Sequence, residues 1–331
     1  MFDDILSQYP IFSHQENHLE RITDGLINAT WRLNDQWILQ RVNPIFGPDV
    51  NRDIQVLTQI LRQRVQVPTL INNCNGEPFC KIDTGENAGI WRIMTFCEGD
   101  CIHSTQNISQ IRSLSDNLAQ FHTALLGEKY TFRFSRGNVH VFDRHREKLE
   151  RAISEHPRHA CWERVVSLYN QLQALFRLCP GDPALNPELP RHIVHGDPKI
   201  SNFLFKGDEV CAILDLDTMA WASLESEIGD ALRSWCNGHD ENHEPALNSD
   251  YVAEALEIYQ TKCPWLTREE RQCFPAAGFK IAAELSMRFA ADALCEDYFA
   301  FDPAIAPTHG EHSLLRAQNQ CLLAESFLDT L

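Results

Sequence analysis

Hydrophobic and polar positions change their rhythm once along the chain, near residue 97. Before that point the apolar residues come in short runs. The segment Ile22-Thr23-Asp24-Gly25-Leu26-Ile27-Asn28-Ala29-Thr30-Trp31-Arg32-Leu33 predicts strand, turn and strand, with Asp24-Gly25 as the turn signal, and residues 37–42 predict a third strand. Pro44, Gly47 and Pro48 then break the chain. Val50, Ile54, Leu57 and Leu61 recur at near-helical spacing, which predicts one amphipathic helix packed behind the sheet. Residues 65–70, 79–82 and 89–96 complete a small, mainly antiparallel unit.

Glu98-Gly99-Asp100 reads as a crossing point, because the pattern downstream is helical over 109–126, 143–154 and 161–178. A loop around Pro180, Gly181, Asp182, Pro183 and Pro187 precedes the one conspicuous β segment of the second half, residues 192–213. Helical spacing resumes at Tyr251 and runs to the end. The fold class is therefore α+β, with a sheet-rich unit over 1–97 and a larger, mainly helical unit over 98–331.

The candidate chemistry lies in that second β segment. His192-Ile193-Val194-His195-Gly196-Asp197 delivers an Asp to a turn after an apolar run, and Lys199 and Asn202 follow it. A second apolar run, Cys211-Ala212-Ile213-Leu214, delivers Asp215 and Asp217. Phosphoryl transfer asks a protein mainly to hold a hard cation with oxygen ligands, orient one hydroxyl and neutralise growing negative charge. Asp197 suits the hydroxyl, Asn202, Asp215 and Asp217 suit Mg²⁺, and Lys199 suits the transferred phosphoryl group.

This pattern resembles the catalytic and metal-binding loops of the protein-kinase superfamily, and His-Gly-Asp in place of His-Arg-Asp is similar to its aminoglycoside and choline kinase branch. The resemblance implies a protein-kinase-like two-lobed fold, with a nucleotide-binding lobe over 1–97 and a catalytic and substrate-binding lobe over 98–331. It also implies ATP and Mg²⁺ as cofactors. The missing Arg fits an enzyme without a phosphorylated activation loop.

Further segments look like those of the N-acetylhexosamine 1-kinases. They are Asp24 to Thr30 for a phosphate-facing loop, Ile38 to Asn43 for the third strand, Leu214 to Met219 with Glu227 to Arg233 for the metal loop and its following helix, and Glu284 to Phe289 with Asp297 to Phe299 for a late helix that closes a sugar pocket. The resemblance places Gly25, Asn28 and Thr30 on the nucleotide phosphates. Arg41 stands where protein kinases carry Lys, either paired with Asp53 on the following helix or solvated at a strand end. Met94 and Phe96 sit either at an adenine-binding hinge or at an ordinary buried strand end.

On the acceptor side, Glu284 and Arg288 are four apart on one helical face, a spacing that suits an internal ion pair or a clamp on sugar hydroxyls. Asp230 either braces the catalytic loop or meets ligand. His140 and Asp143 either border the acceptor or cap a helix start.

Composition narrows the function. Lys and Arg total 29 against 46 Asp and Glu, a formal charge of −17 that opposes binding to nucleic acid and to anionic membrane surfaces. The acidic N-terminus lacks the basic start and apolar run of a signal peptide, so the expected location is cytoplasmic. Twelve scattered cysteines without a Cys-x-x-Cys pair predict reduced, mostly buried thiols, and Cys97 with Cys101 lacks a second half-site for zinc. His239 and His243 lie in an acidic stretch that reads as a solvated loop. Three function classes follow. The first is a kinase of a sugar or amino sugar, the second a kinase of an aminoglycoside, choline, homoserine or another amino alcohol, and the third a nucleotide-binding pseudokinase. Intact Asp197, Asn202 and Asp215 argue against the third.

Overall fold

The computed structural model describes residues 2–12, 16–22, 28–134 and 139–331. A single helical turn, α1 (Asp3–Leu6), precedes five strands: β1 (Leu19–Ile22), β2 (Ala29–Leu33), β3 (Trp37–Val42), β4 (Cys80–Ile82) and β5 (Gly89–Thr95). They form one antiparallel sheet in the order β1-β2-β3-β5-β4, with helix α2 (Val50–Leu61) inserted between β3 and β4. The predicted first hairpin is present with other limits. Its strands pair from Leu19 with Leu33 to Ile22 with Thr30, while the turn residues Asp24 and Gly25 lie outside the described residues.

Residues 65–70 do not form a strand. Only Leu70 bridges to Met94, while Ile71 N–H donates to Ile93 and Thr95 N–H to Thr69. Pro68 has no N–H to offer a ladder, so the segment follows β5 without joining the sheet.

Strand alternation gives the sheet two unlike faces. Leu39, Trp91 and Ile93 pack with Phe2, Ile5, Tyr9 and Phe12 of the N-terminal segment into one aromatic-rich core. The opposite face carries a cross-strand row, Thr30 on β2, Gln40 on β3 and Arg92 on β5, which are direct neighbours in register.

The second half holds two small sheets within a helical body. β6 (Asp100–Cys101), β8 (Phe203–Lys206) and β9 (Glu209–Ile213) form one sheet, and β7 (Arg191–Val194) with β10 (Ala220–Ser223) the other. The helices are α3 (Ile108–Ala124), α4 (Phe142–Glu155), α5 (Trp162–Leu178), α6 (Leu224–Trp235), α7 (Ser249–Lys262), α8 (Arg268–Cys295) and α9 (His309–Leu328).

Helix α8 is the axis of this body. Thr267 and Glu270 close a capping box at its start, and α4, α5, α6 and α9 all pack on it. At Gly229 of α6 an added Cβ would lie 2.5 Å from the Ala277 carbonyl oxygen of α8, so only glycine permits this crossing. The crossing fixes the face of α6 that meets the catalytic loop.

The twelve cysteines form no disulfide among the described residues. Among the described residues no helix is long and apolar enough to cross a membrane.

Candidate active site

β7 ends at Val194, and the chain turns at once into His195, Gly196 and Asp197. Three contacts hold this turn. His195 N–H and Gly196 N–H donate to the two carboxylate oxygens of Glu227 at 2.8 and 2.9 Å, and Thr218 Oγ1 donates to the His195 carbonyl at 2.8 Å. The His195 ring accepts from Asp197 N–H on Nδ1 at 3.3 Å and meets the Leu214 carbonyl through Nε2 at 2.7 Å, which assigns its proton to Nε2. Gly196 has φ +82°, and an added Cβ would lie 2.3 Å from the Thr218 carbonyl oxygen. The glycine of His-Gly-Asp is therefore set by geometry: no larger residue fits where the catalytic and metal loops touch.

Asp197 Oδ2 accepts from Lys199 Nζ at 2.8 Å and from Asn202 Nδ2 at 3.2 Å, and Asn202 Nδ2 also donates to the Asp197 carbonyl at 2.8 Å. This leaves Asp197 Oδ1 and Asn202 Oδ1 without a donor among the described residues. Burial pushes the Lys199 ammonium down, but Asp197, with Asp215 and Asp230 behind it, outweighs burial and holds it above the ordinary lysine value. The lysine therefore stays charged beside the candidate base.

Asp215 opens the turn Leu216–Thr218 in a left-handed backbone conformation, φ +57°. Nothing among the described residues donates to its carboxylate or pairs with it. Burial, together with Asp217 and Asp197, pushes this carboxyl up to about 6. An acid raised by burial and by neighbouring acids, which Lys199 offsets only in part, has the chemistry of a site for a hard cation, and Asn202 Oδ1 supplies a second oxygen. Among the described residues no group of three His, Cys, Asp or Glu could hold a metal ion.

Asp217 differs completely. Arg92 Nη1 and Nη2 donate to its two oxygens at 2.5 and 2.9 Å, and Asn28 Nδ2 adds a third bond at 2.7 Å. The side chains of Arg92 and Asp217 are 4% and 0% exposed.

The expected nucleotide residues divide in the same way. Asn28 and Thr30 reach the cleft face of the sheet, where Thr30 Oγ1 accepts from Gln40 at 3.0 Å. Arg41 does not. It follows Gln40, so alternation turns it to the other face, where it donates to the Ala88 carbonyl and lies over the Trp91 ring. Asp53 is not its partner. The Asp53 carboxylate accepts from Tyr130 Oη at 2.7 Å and from Arg133 and Phe134 N–H at 3.0 and 2.9 Å, which anchors that segment on α2. The buried cation facing the cleft is Arg92, one strand over. Met94 lies between Ile38 of β3 and the bridge to Leu70, and Phe96 N–H donates to the Gln36 carbonyl at 2.9 Å, which occupies that donor. Gly25 lies outside the described residues.

The acceptor candidates gather on α6 and α8, with one exception. Glu284 is 3% exposed, 2.9 Å from His140 Nδ1 and 3.7 Å from His145 Nε2. Burial pushes His140 down, but Glu284, with Asp230 nearby, outweighs it and holds the ring above its ordinary value. For His145 burial wins, and that ring is held below. Arg288 does not pair with Glu284. Its guanidinium lies 5.9 and 5.7 Å from the rings of Tyr298 and Phe299, with no acid partner among the described residues. Asp230 is bonded to Arg233 of its own helix at 2.7 Å, and Glu227, one turn earlier, braces the catalytic loop instead. Asp143 is the exception. The inward stripe of α4 runs through Phe142, His145, Leu149 and Ala152, which turns Asp143 outward to pair with Arg146 at 2.9 Å, exposed.

Sequence reasoning missed Glu227, Arg92, Gln40 and His145. Three of these left a signal: Glu227, with Glu225, is an acid on a helix that must bury most of its surface, and Gln40 and Arg92 are polar residues inside apolar strands.

Comparison with known proteins shows what the chain and its fold are similar to. The chain is 28% identical over 213 residues to a homoserine kinase from Methylocella silvestris, a match that spans 64% of this chain and 59% of that kinase. Its fold is similar to that of a microcompartment-associated aminopropanol kinase, at TM-score 0.68 and 15% identity over 98% of this chain and 95% of the other. An aminoglycoside 2'-phosphotransferase-IIIa bound to GDP superposes at TM-score 0.60 and 15% identity, over 96% and 95% of the two chains. These similar proteins are kinases of homoserine, aminopropanol and aminoglycosides, and none of them is a hexosamine kinase. The model of the phosphotransferase enzyme family matches residues 18–261, which contain the whole loop system from Asn28 to Asp230, and the chain belongs to that family.

Proposed function

We propose that this protein transfers the terminal phosphoryl group of a nucleoside triphosphate, ATP with Mg²⁺, to a hydroxyl of a small molecule that also carries an amine. The nucleotide occupies the cleft between a lobe of residues 1–97 and a lobe of residues 98–331. One observation carries the transfer: Asp197 keeps one carboxylate oxygen open beside Lys199 and two residues that hold oxygens for a cation, Asn202 and Asp215. Bound Mg²⁺ would offset the charge on the phosphates.

In this reading Asp197 Oδ1 accepts the hydrogen of the acceptor hydroxyl and takes the proton as the new O–P bond forms. Lys199, kept cationic by Asp197, faces the charge that develops on the transferred group. Asn202 fixes the rotamer of Asp197 through its amide and turns its own oxygen toward the cation. Glu227 holds the loop from below.

Glu284 supports an amine on the acceptor. It is a buried carboxylate at the far end of the cleft whose partners are two imidazoles rather than Lys or Arg, so an ammonium group would complete its charge balance. Aminopropanol and homoserine kinases among the similar proteins point the same way. An N-acetylhexosamine is the second reading. Arg288, backed by Tyr298 and Phe299 and with no acid partner among the described residues, is also suited to clamp sugar hydroxyls.

A coupled ADP-release assay with a panel of amino alcohols, hydroxy amino acids, aminoglycosides and N-acetylhexosamines tests this reading. Turnover with an amine-bearing acceptor is expected, falling about 10²–10⁴-fold in Asp197→Ala. Normal turnover in that variant overturns the role of Asp197, and turnover on hexosamines alone overturns the amine.

A further inference from the structure

Asp217 lies two residues after the candidate cation ligand Asp215, and in sequence it looks like a second ligand. Its surroundings say otherwise. The forked guanidinium of Arg92 donates to both oxygens, and one also accepts from Asn28, so three of about four acceptor sites are filled and a cation would have to compete with a buried charge-assisted fork. Arg92 is equally committed. Beyond Asp217 it donates through Nε and Nη2 to Gln40 Oε1 at 2.9 and 2.7 Å, and through Nη1 to Asn51 Oδ1 of α2 at 3.3 Å.

We infer that the Arg92–Asp217 pair is a positioning device that ties the nucleotide-facing sheet to the Asp215 loop, and that Asp217 is not itself a cation ligand. The inference rests on the phosphoryl-transfer reading for its consequence but on geometry for the tie. A buried ion pair is weak evidence for stability, since apolar residues of similar size often serve a fold as well. Its planar, two-point geometry does something apolar packing does not: it fixes the direction of one carboxylate relative to one strand.

That direction matters because Asp215 occupies a left-handed conformation that a non-glycine residue keeps only when its surroundings impose it. Asp217 follows it within one tight turn, and α2 packs on that turn. A shift of Asp217 therefore rotates Asp215. Asn28, which accepts from Asn43 N–H at 2.8 Å and donates to Asp217, brings the exit of the segment 23–27 into the same tie. A change at the sheet is thus passed to the cation-facing carboxylate through one pair of charges.

The experiment compares Arg92→Gln, Asp217→Asn and the double variant with the parent chain. The double variant carries no unpaired charge and guards against misfolding of either single one. Amide hydrogen exchange without nucleotide reads the tie. Binding of ADP with and without Mg²⁺, by calorimetry, reads its consequence. Faster exchange is expected in both 28–33 and 214–219, with a Mg²⁺-dependent part of ADP affinity that falls about 10–100-fold in each single variant and no further in the double. Where one single variant does not fold, the double variant against the parent decides by the same measures. Parent-like exchange in both segments overturns the tie. Loss of the Mg²⁺ effect in Asp217→Asn with its retention in Arg92→Gln overturns it too, because that pattern marks Asp217 as a ligand. A parent chain that binds no ADP sinks the functional reading alone, and the exchange data still decide the tie.

Discussion

Asp215 and Asp217 stand on the same turn, and their surroundings are opposite. Asp217 is sealed among Arg92, Asn28 and the cleft face of the sheet, with every oxygen engaged. Asp215 faces Asp197 and Asp217 with no donor, and its carboxyl is pushed up to about 6. The first corner is assembled to be rigid without a ligand. The second is left unbalanced, as a site must be if a cation and phosphates are to complete it. Stability and affinity have been divided between neighbours, and a reader of Asp-x-Asp alone would give both residues the same task.

The largest test of this contrast removes the cation of the sealed corner. Arg92→Met leaves a buried, uncompensated carboxylate and should cost about 3–5 kcal/mol, read as a shift of the urea midpoint. A loss no larger than that of an exposed arginine would show that Asp217 is not sealed. The opposite response is expected at the open corner. Asp215→Asn removes a buried charge that nothing balances, so the nucleotide-free protein should gain about 1 kcal/mol at neutral pH by the same measure while its Mg²⁺-dependent ADP affinity disappears. A destabilised Asp215→Asn variant would mean that the carboxylate has a structural partner after all.

The smallest effect concerns the acceptor end. His140 is held above its ordinary value by Glu284, so its contribution to stability is fully present below the unfolded value near 6.5 and is lost as pH rises through the folded one. Glu284→Gln leaves burial in command and should drop the His140 titration below the ordinary value, followed by NMR of its ring protons. An unchanged titration would break the Glu284–His140 link.

Several readings failed for one reason, that side-chain direction depends on pairing. Arg41 was the cation nearest the lysine position, yet β3 alternation sends it behind the sheet, and the cleft receives Gln40 with Arg92 from β5. Asp53 was the acid one helix away, and it holds the 130–134 segment. Asp230 and Glu227 are three apart on α6, and only the crossing at Gly229 decides which of them meets the catalytic loop. The late-helix residues Glu284 and Arg288 were legible as a pair, but their partners, His140, His145 and the aromatic rings, come from segments far apart in sequence.

The sequence by itself determined the α+β class, one helix within an antiparallel sheet, and the candidate segment that carries Asp197, Lys199, Asn202 and Asp215. These are local facts: turn residues, apolar periodicity and ligand types within some twenty positions of one another. Tertiary structure alone decided that Gly196 must be glycine, that Arg92 is the cleft cation, and that Asp217 anchors while Asp215 remains open. Each depends on contacts between segments 23 to 189 residues apart, where charge balance is set by which face of a strand or helix turns inward, and no local pattern carries that information.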